Sequence, residues 1–137
     1  MAVRIEKELD DADPEAVRRL YSDLIAFWAA GLLPHFRGEN ECLLARLVRH
    51  VPPDDELIRR TQHDHLGMEA LVASMRDSDD LTVRKGALQR FGRWLREHIR
   101  WEEDVLFEET QVRLNEGELE ALREQLDDEL PAVPVSP

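Results

Sequence analysis

The chain has 137 residues, of which 42% are hydrophobic and 35% charged, and its formal net charge is −12. That length suits one domain with one core, and the acidic balance argues against phosphate backbones and anionic membranes as partners. With Cys42 as the single cysteine no intrachain disulfide forms, no apolar run approaches the ~20 residues of a membrane span, and the N-terminal MAVRIEKELDDAD lacks a signal core. The expected location is the cytoplasm.

Apolar residues recur at spacings of three and four and never alternate over a sustained run, so the fold class is all-α. Residues 2–10 read as a short helix with Ile5 and Leu9 on one face. Asp13 as N-cap, Pro14 at the first helical position and Glu15 in the first turn open a second segment running to about His50. Its seam is Val17, Leu20, Leu24, Trp28, Leu32, His35, Glu39 and Leu43. Pro34 lies inside it and gives no N–H to residue 30, so a kink, or two helices meeting, is expected there.

Pro52 and Pro53 end this element. Asp54 is the expected cap of the next, with Asp55 and Glu56 in its first turn. Its seam reads Ile58, Thr61, His65, Met68, Val72 and Met75. After the loop RDSDD, Asp80 or Thr82 opens the last long helix, with seam residues Leu88, Phe91, Leu95, His98, Glu102 and Val105. Gly86 and Gly92 weaken it by roughly 1 kcal/mol each relative to Ala. Asn115 and Glu118 form a capping box for a short helix to about Leu130. The domain is expected over residues 1–130, with 131–137, PAVPVSP, as a flexible tail.

The informative residues are the polar ones in the seams, because a buried carboxylate must find a partner or lose its charge. His35 and Glu39, His65 and Glu69, and His98 and Glu102 each stand four apart, so each pair shares a helix face. Three helices thus offer an imidazole and a carboxylate to one interior, the arrangement in which bundle cores hold metal pairs. Nitrogen with oxygen donors suits iron, manganese or zinc. A single such pair is commonplace on a helix surface; three in phase with their apolar stripes are not. His63 points away from His65, His50 reads as a helix-end residue, and Cys42 as a small core residue. Trp28, Trp94 and Trp101 read as packing. Tyr21 is the only tyrosine.

The stretches LLPHFRGENECLL, HDHLGMEAL and LREHIRWEEDVLFEE resemble the hemerythrin-like, or HHE cation-binding, family over roughly residues 14–125. The resemblance implies an up-down four-helix bundle around a non-haem di-iron centre. His35 then matches a terminal ligand of one iron, His65 and His98 terminal ligands of the other, and Glu39 and Glu102 the bridging carboxylates. Glu103 competes with Glu102, because oxygen-carrying members place that carboxylate five residues after the histidine. Glu69 stands where those members have a further histidine, which makes the set richer in oxygen. Asn40 replaces a second acid and removes one possible ligand. No histidine precedes His35, so the first helix reads as truncated, with Glu6 or Glu8 as substitutes. A truncated helix leaves an apolar wall for a second copy to cover, and a homodimer is expected.

The function that follows is an iron protein, di-iron by the resemblance, that binds or senses oxygen, peroxide or a related small molecule, or handles iron. No nucleophile motif, phosphate loop or organic-cofactor fingerprint is present, which favours binding or sensing over dedicated catalysis. The rivals are a di-iron oxidase or peroxidase, a mononuclear zinc or manganese site, and a metal-free module that pairs through its exposed groove.

Overall fold

The computed structural model describes residues 4–5 and 13–129. Four helices make up the bundle and no strand occurs among these residues. Helix α1 spans residues 14–47, α2 is Glu56–Arg76, α3 spans residues 81–113, and α4 is Glu116–Glu129. The short helix expected over residues 2–10 lies outside the described residues except for Arg4 and Ile5, as do Glu6 and Glu8. Ile5 is fully buried in one cluster with Val17, Leu20 and Leu24.

The helix starts follow short polar side chains. Asp13 accepts from the Ala16 N–H at 2.8 Å, with Pro14 next in the chain. Asp80 accepts from Thr82 at 2.8 Å and Val83 at 3.3 Å. The α2 cap is Asp55, which accepts from Leu57 at 2.9 Å, and not the preceding Asp54. The Asn115–Glu118 capping box forms in both directions, at 2.8 and 3.2 Å. His50 then bonds the Glu118 carboxylate at 2.8 Å and ties the end of α1 to the start of α4.

Pro34 does not split α1. The chain widens the turn before it instead: Trp28–Leu32 is π-helical, the Leu33 N–H bonds the Trp28 carbonyl five residues back, and Leu33 stays helical. The longer turn accommodates the missing donor and the proline ring. Glu39–Leu44 in α1 and Glu102–Leu106 in α3 are π-helical as well, and in the latter the Phe107 N–H bonds the Glu102 carbonyl.

Each π turn inserts a residue into the helical phase and moves the seam by one position. Leu106 is fully buried while Val105 is 37% exposed, reversing the expected seam. In α1, Phe36 is buried and His35 only half-buried. In α2, which is uninterrupted, every expected seam residue is buried.

Two apolar clusters result. One packs Ile5, Val17, Leu20, Leu24 and Trp28 against Met68, Met75, Leu88 and Phe91. The other packs Cys42, Leu47 and Ile58 against Trp101, Leu106 and Leu122, the last contributed by α4. On α1, α2 and α3 alike, the seam changes from one cluster to the other across a polar layer. None of the described helices is long and apolar enough to cross a membrane.

Candidate metal centre

That polar layer holds the candidate site. Glu39 comes from the start of a π turn in α1, His65 from α2, and His98 and Glu102 from the last α turn and first π residue of α3. All four are buried, and one nitrogen or oxygen from each lies within 4.8 Å of the others. Donor atoms at such separations fit one ion's coordination sphere or the shared edge of two.

His35 stands at the rim of this group. Its Nε2 is 3.7 Å from Glu39 Oε1 and its side chain is 35% exposed. The other two candidates do not join it: Glu69 is half-buried outside the group and Glu103 is exposed. The α-helical four-residue step from His98 brings Glu102 inward and leaves Glu103 facing out. His63 lies on the surface, with its ring 5.6 Å from Trp94.

The inner face of each buried imidazole is set from outside. His98 Nδ1 is 2.8 Å from Asp64 Oδ2, and a carboxylate can only accept, so Nδ1 carries the proton and donates it. Nε2 then points at the Glu102 carboxylate. His65 Nδ1 donates to Asn40 Oδ1 at 3.2 Å, leaving its Nε2 3.1 Å from Glu39 Oε1. Asn40, which the sequence marks only as a lost acid, is therefore the partner of His65. Phe36 stacks on His65 with ring centroids 4.0 Å apart, and edges onto His98 at 5.7 Å. Leu32, Leu95 and Leu106 are also buried.

These contacts pull the titrating groups apart. Burial and the neighbouring His98 push His65 down to about 3, so it is neutral with a free lone pair. Burial opposes protonation of His98 too, but the carboxylates of Asp64 and Glu102 outweigh it and raise it to about 9. Burial and the Glu102 charge hold Glu39 well above the usual carboxylate range. Burial pushes Glu102 up, yet His98 outweighs it and keeps this carboxyl below its usual value. At neutral pH the layer thus holds a Glu102 carboxylate facing a His98 imidazolium, while burial favours the protonated form of Glu39.

Glu39 Oε2 has no hydrogen-bond partner in the layer, and His98 Nε2 meets only the Glu102 carboxylate. A buried polar atom left unmet costs about 1–3 kcal/mol. A cation among the four donors would satisfy Glu39 Oε2 and stand in for the His98 proton against Glu102. Two imidazole nitrogens with two carboxylates, and no thiolate, form a donor set suited to iron, manganese or zinc. The residues fit a metal.

Sequence reasoning met Asp64 only as the acid before His65 in the stretch HDHLGMEAL and gave it no place at the site. A signal existed: Leu57, Asp64 and Leu71 stand seven apart and all three are buried, so Asp64 sits on an inward stripe beside the main seam.

Comparison with known families gives the same picture. The model of the hemerythrin HHE cation-binding domain matches residues 2–110. Comparison with curated proteins and with solved structures finds no match.

Proposed function

Because the chain belongs to the hemerythrin HHE cation-binding domain family, we propose that it holds iron in the polar layer of its bundle and uses it to bind or sense oxygen, peroxide or a related small molecule. The observation that carries this reading is the buried group of four donors, two imidazoles and two carboxylates within reach of one another, with Glu39 Oε2 unmet among them. His65, His98, Glu39 and Glu102 are the inner ligands, and His35 at the rim is the fifth. Together these five residues would hold a pair of irons.

Iron at this place would supply redox chemistry toward a small molecule. The protein does the rest. Asp64 and Asn40 hold the two ring N–H groups so that each Nε2 faces inward. Phe36, Leu32, Leu95 and Leu106 exclude water from the inner side. The half-exposed His35 leaves one side of the layer open to small molecules. No feature of the layer recognises a larger organic substrate, and that favours binding or sensing over turnover.

Metal content per chain after anaerobic iron loading, read with an optical spectrum, tests the proposal. About two irons with near-ultraviolet charge-transfer bands support it. One ion per chain assigns the four inner donors alone and leaves His35 outside. No uptake refutes it and returns the bundle to a metal-free interaction module.

A further inference from the structure

The residue next to His65 takes no place among the four donors, yet it is buried and fully engaged. Asp64 accepts from two directions, one on each oxygen: Trp94 Nε1–H reaches Oδ1 at 2.9 Å, and His98 Nδ1–H reaches Oδ2 at 2.8 Å. Two bonds on different oxygens fix the plane of the carboxylate as well as its position. Arg60 adds its charge, 3.6 Å from Oδ2.

Trp94 is fixed in its turn. Its indole lies against the backbone of Gly67, so closely that a Cβ at that position would come within 2.0 Å of the ring. Gly67 is three residues from Asp64 on α2, and Trp94 four residues from His98 on α3, so both pairs share helix faces. Glycine makes the slot, the indole fills it, and its N–H holds the acid that holds the histidine. The indole also forms part of the wall of an open groove of about 520 Å³ between α2 and α3. Nothing about core packing alone asks for a glycine, an indole N–H and a buried carboxylate in this register.

We propose that Asp64, seated by Trp94 and Gly67, is the positioning residue that sets the orientation and donor strength of His98 at the metal centre. The inference rests on the metal-binding reading above. An imidazole whose outer N–H is held by an anion is a stronger and better-aimed ligand than a free one. His65 has only the neutral amide of Asn40 behind it. The two imidazoles are therefore unequal ligands, with His98 the stronger.

Cobalt(II) serves as the probe, because it takes the same donors and shifts the ring N–H protons of ligated histidines far downfield in proton NMR. In the unmodified protein the His98 ring N–H, shielded by Asp64, gives a shifted resonance that persists in water and vanishes in heavy water. The D64A variant is expected to lose that resonance to fast exchange and to bind cobalt about 10- to 100-fold more weakly. D64N, whose amide oxygen still accepts, is expected to keep the resonance and recover part of the affinity. W94F and G67A leave Asp64 in place, and are expected to weaken cobalt binding and speed exchange of the same proton, with the helical circular dichroism unchanged. They also test the idea if D64A fails to fold. Cobalt bound equally tightly by D64A, or by W94F and G67A, with an unchanged resonance, overturns this inference alone. No cobalt uptake by the unmodified protein overturns the metal-binding reading and this inference with it.

Discussion

Helices α2 and α3 approach the polar layer in different ways. α2 passes through it as an unbroken α-helix, contributing His65 and burying every residue of its regular stripe. α3 contributes His98 and Glu102 and then changes to a π turn, after which Leu106 replaces Val105 in the core. One ligand can be added to a seam without disturbing it. A histidine and a carboxylate in succession, followed by more apolar core, need a phase correction, and the π turn supplies it. α1, which brings His35 and Glu39, makes the same correction with Glu39–Leu44. π turns are frequent at functional sites, and here two of them begin at the carboxylates of the polar layer, Glu39 and Glu102.

The sharpest break of this comparison is loss of a ligand from either helix. H65A and H98A should each remove most metal uptake, weakening affinity by about a hundredfold or more, while H63A leaves it within about twofold; truncating a side chain that makes no contact with the layer costs little. Competition against a coloured chelator measures all three. Equal losses from the three variants would mean that the helix faces are assigned wrongly.

The phase correction itself is open to a stability test. L106A should cost about 2–5 kcal/mol, as for a fully buried leucine, and V105A well under half of that. Urea unfolding of the metal-free protein distinguishes them. If V105A is the costlier, α3 runs as a plain α-helix through the layer.

Most of the fold was legible in the sequence because its signals are local. Asp13–Pro14, Asp80 and the Asn115–Glu118 box mark helix starts through bonds that reach only two or three residues. The buried polar group of Glu39, His65, His98 and Glu102 was legible because its members are polar where a seam should be apolar. What escaped depends on the helical phase or on contacts between helices. Spacing counted on an ideal α-helix cannot see a π turn, so it favoured Val105 over Leu106 and set His35 deeper than it lies. Asp64, Asn40 and Trp94 act across helix pairs, and nothing in one helix's periodicity says which side chain waits on the next.

A smaller effect separates the two ends of the layer by pH. Metal must displace the proton of His98, held up to about 9 by its carboxylates, and burial favours the protonated Glu39 in the same competition. His65, pushed down to about 3, offers a free lone pair throughout. Protons and metal compete, so affinity should rise with pH by about tenfold per unit for each proton released, and should flatten above about pH 9. Chelator competition between pH 6 and 9 reads the slope. A flat profile would mean that His98 is already neutral in the metal-free protein.

The smallest expected effect concerns α4, which covers the second cluster. N115A removes one half of its capping box and should cost about 1 kcal/mol, visible as a small fall in urea midpoint with metal affinity unchanged. A fall in affinity as well would show that α4 supports the layer directly.

The polar layer has a consequence for how the molecule comes apart. Without a cation, the apolar clusters meet across buried polar groups of which Glu39 Oε2 is unmet, and each cluster has its own reason to stay folded. The metal-free chain should therefore melt in two overlapping steps, one for each end. An ion gripped by three helices binds only when both ends are folded, adding stability that grows with the logarithm of its concentration. Loading should merge the steps into one, so that the number of transitions in a calorimeter reports whether the layer is filled.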